Sequence, residues 1–139
     1  MPVDVRIIRQ RGLVYVRYWG LATLDETIEA LGRYERDPGY RPGQKQLVDM
    51  GAVTGIERDY VKFIQVQAKK ADIFLAGESQ TLLVCYAPTR IAAEMAEMMV
   101  RSWEPSGAVI PLIQQDQAEA LQLLGQPERS FEELLQAAR

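Results

Sequence analysis

The chain is 139 residues long, carries a formal net charge of −3, and contains one cysteine and no histidine. Without imidazole, Ser-His-Asp and Cys-His hydrolase sets and histidine-based zinc sites are excluded; a lone Cys85 excludes an intrachain disulfide and any CxxC site. A hydrophobic fraction of 47% and a charged fraction of 25% describe an ordinary globular chain of one domain, and a pI near 5.1 argues against nucleic-acid binding.

Val3, Val5 and Ile7 alternate with Asp4 and Arg6, the period-two pattern of a half-buried strand. A short connection containing Gly12 leads to a second strand over Leu13 to Trp19, so the two form an antiparallel hairpin, and Gly20 is expected to end it. Thr23 with Glu26 three residues on is a capping-box pattern for a helix that stops at Asp37-Pro38-Gly39. A short third strand is expected over Gln46 to Met50, followed by a long amphipathic helix from about Arg58 to Leu75. Thr81 to Tyr86 is a continuous apolar run, as for a central strand covered on both faces.

Pro88 opens the next helix, which runs to Trp103 and is broken at Pro105-Ser106-Gly107. Ala108 to Ile113 reads as a fifth strand, with Pro111 pointing to an edge position or an irregularity. Asp116 with Glu119 caps a helix closed by Gly125, and Ser130 with Glu133 precedes a last short helix, Phe131 to Ala138. The order β-β-α-β-α-β-α-β-α-α implies a single α/β domain over residues 1–139, with a mixed, mainly parallel five-stranded sheet. No secretory signal and no stretch of roughly 18 apolar residues is visible, so the chain reads as cytoplasmic.

That order, with the segments Leu47-Val48-Asp49-Met50-Gly51-Ala52-Val53, Asp37-Pro38-Gly39-Tyr40 and Ile113-Gln114-Gln115-Asp116-Gln117-Ala118-Glu119-Ala120-Leu121, resembles the STAS or SpoIIAA-like family. The resemblance covers nearly the whole chain and is nearest to bacterial stand-alone STAS-like proteins of unknown function. In the anti-sigma-factor antagonists of that family, a loop bearing Asp-Ser-Ser/Thr-Gly at a helix start presents a serine to a partner kinase. Aligned from Asp49, the corresponding stretch here is Glu57-Arg58-Asp59-Tyr60, with Arg58 at the phospho-acceptor position. The resemblance therefore implies a non-enzymatic interaction or regulatory module that lacks the phosphoswitch. Topological grouping of related proteins with lipid-binding Sec14-like domains implies, as the alternative, a carrier of a small apolar or lipid-like ligand.

Among individual residues, Asp49, Glu57 and Asp59, with Arg58, form a candidate strand-end site. Three carboxylates there suit a hard cation such as Mg²⁺, or else Glu57 and Asp59 simply complement a helix dipole. Cys85, inside an apolar run, reads as a core residue, Ser79 as a turn residue, and Gly51 and Gly55 as neither dinucleotide fingerprint nor P-loop. Arg6, Arg9, Arg11 and Arg17 concentrate on the hairpin, as solvated charge or as a surface for an acidic partner or anionic headgroups. The helix Arg90 to Trp103 stands out: Glu94, Glu97 and Arg101 share a narrow polar arc, while Ile91, Met95, Met98, Met99, Val100 and Trp103 spread around the rest. Either the C-terminal helices cover the excess through Leu121, Leu124, Phe131 or Leu134, or Met95, Met98, Met99 and Trp103, flanked by Phe63 and Phe74, form a surface for a second subunit, another protein or an apolar ligand. The expectation is a self-associating module, most simply a dimer, with no catalytic residue, cofactor or metal assigned.

Overall fold

The computed structural model describes residues 3–59, 62, 65–69, 80–103 and 108–138. Strand β1 (Val3–Ile8) and β2 (Leu13–Ala22) form the expected antiparallel hairpin. Arg9–Arg11 makes a single 3₁₀ turn between them, which closes on Gly12 at φ 58°. Helix α1 (Leu24–Arg36) follows, then β3 (Lys45–Ile56), β4 (Thr81–Tyr86), α2 (Arg90–Trp103), β5 (Val109–Gln114), α3 (Gln117–Leu123) and α4 (Phe131–Ala137). The strands lie in the order β1-β2-β3-β4-β5, and every pairing after the hairpin is parallel. This is the α/β architecture expected from the element order.

Because each strand lies beside the preceding one, the crossovers all step in the same direction and share one hand, which puts their helices on one face. Ala30 of α1 and Ala92, Met95, Ala96 and Trp103 of α2 accordingly share a core with Val48, Met50, Leu83 and Cys85 of the sheet. The alternate residues of the same strands, Leu13, Tyr15, Leu47 and Val84, point to the other face and are buried there by Leu121, Leu124, Phe131 and Leu134 of the C-terminal segment. The sheet is thus covered on both sides, which is why β4 reads as an unbroken apolar run. Beneath the end of α1, Val14 and Tyr34 form a small third cluster with Ile7 and Tyr40. With no reversal of strand order among the parallel strands, the sheet lacks the crevice at which open α/β sheets usually receive ligands.

Local hydrogen bonds account for the helix starts. The Glu26 amide donates to Thr23 Oγ1 at 3.3 Å, that of Glu119 to Asp116 Oδ2 at 3.0 Å and that of Glu133 to Ser130 Oγ at 3.2 Å. Helix α2 begins at Arg90 rather than at Pro88, because Thr89 Oγ1 accepts the Ala92 amide at 3.2 Å and so caps it. Gly125, at φ 73°, follows α3, and Pro111 sits in the edge strand β5. Of the helix expected from Arg58, Lys62 and residues 65–69 are helical, whereas Arg58 and Asp59 precede it. The expected break at Pro105-Ser106-Gly107 falls outside the described residues, apart from the helix end at Trp103.

Two strand boundaries differ from expectation. Strand β2 passes through Gly20, which holds φ 65° inside the strand and does not end it. Strand β3 runs six residues past Met50, to Ile56, because β2 continues to Ala22 beside it and β3 carries two extra residues relative to β2. Arg17 faces Asp49 but Trp19 faces Ala52, and Gly20 faces Val53 but Leu21 faces Gly55, so β3 gains a residue at each of the two steps. Those bulges occur around Gly51 and Gly55, and each re-aims the residues that follow. Val53, an odd-numbered residue, thereby joins the face of Val48 and Met50.

Candidate functional site

Asp49 and Tyr15 project from adjacent strands toward the C-terminal helices. The Tyr15 hydroxyl donates to Asp49 Oδ2 at 2.5 Å, and Asp49 Oδ1 accepts the Gly51 amide at 2.9 Å, folding the first bulge back on its own strand. A Cβ on Gly51 would lie 3.0 Å from a Tyr86 ring carbon and 3.1 Å from Asp49 Oδ1, so any larger residue would have to push the Tyr86 ring and the Asp49 carboxylate aside. The Tyr86 and Tyr15 rings both meet Phe131 edge-on, at centroid distances of 5.0 Å and 5.8 Å. Burial, and then the bond to Asp49, drive the Tyr15 pKa far above the ordinary tyrosine value. Asp49 therefore holds a strand bulge and a buried phenol in place. Asp49→Ala is expected to cost about 1.5–3 kcal/mol in chemical denaturation, the worth of a hydrogen bond to a charged acceptor, with Asp49→Asn costing less.

Glu57, Arg58 and Asp59 lie beyond the end of β3, eight to ten residues further along the chain from Asp49. An extended strand of eight residues spans on the order of 25 Å. The candidate strand-end set is accordingly divided. Asp49 faces the C-terminal helices, while Glu57 lines a pocket on the opposite side of the sheet. Among the described residues no group of three or more His, Cys, Asp or Glu side chains is placed to hold a metal ion.

Glu57 and Asp59 instead converge on Lys62. Asp59 Oδ1 accepts the Lys62 amide at 3.2 Å, the N-terminal arrangement expected for an acid three residues before a helical position. The Lys62 ammonium lies 2.9 Å from Asp25 Oδ2 of α1 and 3.6 Å from Glu57 Oε1. The hydrogen bond to Asp25, reinforced by the charges of Glu57 and Asp59, raises the Lys62 pKa against the opposing effect of desolvation. Arg58 pairs with Glu94 of α2 at 2.9 Å, with both side chains largely exposed. Asp25 and Lys62 were not singled out by the sequence, although Asp59 and Lys62 stand at the spacing of a helix cap.

The pocket itself has a volume of about 60 Å³. Helix α2 supplies Met95, Met98 and Met99; the ends of β2 and β3 supply Ala22 and Ile56; Tyr18 and Val66 add further walls. Thr27 of α1 shares a 3.2 Å hydrogen bond with the Tyr18 hydroxyl at its side. Met98 and Met99 are partly exposed, whereas Met95 is buried. Trp103, expected on the candidate interaction surface, is only 4% exposed and belongs to the core instead, because it faces the sheet with Val109 and Leu83. Phe63 and Phe74 lie outside the described residues. Cys85 is buried under α2, with its Sγ donating to Met99 Sδ at 3.7 Å. The C-terminal alternative for covering α2 does not hold, since Leu121, Leu124, Phe131 and Leu134 all serve the other face.

On the hairpin the arginines have separate attachments. Arg11 forms a two-pronged pair with Glu128, at 2.5 Å and 3.0 Å, and also donates to Gln126. The hydrogen bonds from Arg11 hold the Glu128 pKa below the usual carboxylate value. Arg17 lies over the Trp19 ring, 5.2 Å from its centroid. Two of the four hairpin arginines, Arg11 and Arg17, are thus engaged within the chain. No helix among the described residues is long and apolar enough to cross a membrane. No family model matches the chain, and no curated protein matches it.

Proposed function

We propose that this chain is a non-enzymatic interaction module of STAS-like fold, acting in the cytoplasm and self-associating as a dimer through the outer surface of α2. The observation that carries this reading is the placement of the C-terminal helices. They serve the opposite face of the sheet, while Ile91, Met98, Met99 and Val100 remain partly exposed on α2. Glu97 and Arg101, both exposed and four residues apart, suit a two-fold contact, in which each residue of one copy can meet the other residue of its mate. Arg58 in the position of a phosphorylatable serine, itself paired with Glu94, supports a module that works without a serine phosphoswitch. Light scattering over a dilution series is expected to give a dimer mass that falls toward the monomer on dilution. Met98→Glu and Arg101→Glu should each shift that equilibrium to the monomer, and Glu97→Arg combined with Arg101→Glu should restore it. A wild type that is monomeric at every concentration overturns the reading.

The pocket favours a second reading, a carrier for a small apolar ligand. Its volume of about 60 Å³ compares with roughly 150 Å³ for an apolar cavity that accepts benzene, so it suits a short aliphatic group. Native mass spectrometry of freshly purified protein is expected to show bound mass if this is the function, and an unliganded mass throughout counts against it.

A further inference from the structure

We infer that the pocket beneath Met98 and Met99 is a site for a soft monovalent metal ion of the cuprous copper class, held by thioether sulfur. It is the pocket of the second reading above, but a metal ion there does not require that an apolar ligand bind as well.

Three of the chain's five methionines, Met95, Met98 and Met99, line this one pocket. They stand at i, i+3 and i+4 of α2, so Met98 and Met99 each neighbour Met95 on the helix surface, with Cβ atoms about 5–6 Å apart. The sulfur lies two bonds beyond Cβ on an unbranched, flexible chain. Sulfurs so placed can close to about 4 Å of one another, the separation of ligands that share a single ion at metal–sulfur distances of about 2.3 Å. A pocket of about 60 Å³ holds such an ion and leaves room for the side chains to close on it. Met98 and Met99 are partly exposed, which gives the ion a way in.

The oxygen groups of the wall are committed elsewhere. The Tyr18 and Thr27 hydroxyls share a 3.2 Å hydrogen bond, Thr23 Oγ1 accepts the Glu26 amide at 3.3 Å, and Glu57 pairs with Lys62 at 3.6 Å. Sulfur is the donor type that remains. Thioethers select Cu(I), whereas magnesium and calcium take oxygen ligands and zinc takes imidazole, thiolate or carboxylate. Thioethers are also neutral, and a wall this apolar tolerates one positive charge better than two. Cys85 is not among the ligands, since it is fully buried and does not line the pocket. Its Sγ donates to Met99 Sδ at 3.7 Å, which engages one lone pair of that sulfur and leaves the other.

The test uses the wild-type protein with isotope-labelled methionine methyl groups in chloride-free buffer. It is titrated with silver nitrate, silver(I) being a redox-inert stand-in for Cu(I), and separately with magnesium nitrate, zinc nitrate and butanol. Saturable one-to-one shifts of Met95, Met98 and Met99 are expected with silver and with neither divalent ion, while Met50, buried in the sheet and not lining the pocket, stays in place. Met98→Leu and Met99→Leu, which keep volume and apolar character, should each weaken silver binding about tenfold and leave butanol unaffected. Cys85→Ala should bind silver as the wild type does. Loss of silver binding in Cys85→Ala, with both leucine variants unchanged, assigns the ion to the thiol and overturns the inference. If Cys85→Ala does not fold, the leucine variants decide, because each removes a thioether and keeps the thiol. Shifts with butanol and none with silver overturn the inference and leave the apolar-ligand reading standing; shifts with silver and none with butanol do the reverse; none with either overturns both.

Discussion

Phe131→Ala is expected to destabilise the protein by about 3–5 kcal/mol, the range for removing a buried aromatic ring. The ring is 4% exposed and stands edge-on against both Tyr15 and Tyr86, each within 6 Å between centroids. Its loss opens a cavity where α4, β2 and β4 meet, and it removes the packing that holds Tyr15 against Asp49. For a chain of this size each kcal/mol moves the melting temperature by about 2–4 °C, so a fall of about 10 °C is expected in a thermal scan. Phe131→Leu keeps most of the buried area and forfeits the edge-on geometry, worth about 0.5–1.5 kcal/mol per aromatic pair. A loss below about 1 kcal/mol for the alanine variant would mean that the C-terminal helices are not a structural layer.

Stability should also fall steeply at alkaline pH. Burial pushes Tyr18 and Tyr34 from the ordinary 10.0 up to about 12, and Tyr15 moves in the same direction. A phenol whose pKa is raised on folding stabilises the folded state fully below its unfolded value, and that contribution is lost as pH rises through the folded value. The window is therefore about pH 10 to 12 for Tyr18 and Tyr34. A shift of that size corresponds to a few kcal/mol for each ring, to order of magnitude. Urea denaturation repeated at increasing pH, with tyrosinate absorbance followed in parallel, should show the midpoint level to about pH 10 and falling beyond it. Tyr18→Phe lowers stability at neutral pH by about 1 kcal/mol, because the hydrogen bond to Thr27 is lost while Thr27 Oγ1 keeps its bond to the Thr23 carbonyl, and flattens the alkaline decline. A midpoint unchanged to about pH 12 would show that these phenols do not ionise more readily on unfolding.

What the sequence made legible was local. Thr23, Asp116 and Ser130 each cap a helix through a partner three residues away, and the pattern of polar and acidic residues at that spacing is sufficient to find them. The bounds of strand β4, Thr81–Tyr86, are legible because both of its faces are covered, so no register decision enters. The full lengths of β2 and β3 are not legible because the bulges near Gly51 and Gly55 break the alternation that marks a strand, and Gly20 looks like a terminator although its positive φ is accommodated within the ribbon. The division of the strand-end acids has the same origin. Asp49 and Tyr15 are 34 residues apart and meet only through the β2–β3 register. Asp25 and Lys62 meet only because α1 starts beside the end of β3, where the Glu57 amide bonds to the Ala22 carbonyl at 2.9 Å. The width of the apolar arc on α2 was readable, but which side of the sheet the last two helices take was not, since amphipathic periodicity gives a stripe and no address.

The two faces of the sheet also differ in when they can be completed. On the face of α1 and α2, each covering helix follows its strand within the same stretch of chain, so burial proceeds as the polypeptide is made. On the other face, Leu13, Leu47 and Val84 come from strands spread over the first 86 residues, and the described residues outside the sheet that cover them all belong to 120–138. During synthesis that stripe stays bare until the last fifth of the chain has emerged, and an exposed apolar sheet is the surface on which nascent chains aggregate. The Arg11–Glu128 clasp, joining the first turn to the last loop across 117 positions, can close only then. The hairpin that starts the fold is therefore also the piece that waits longest for its final contacts.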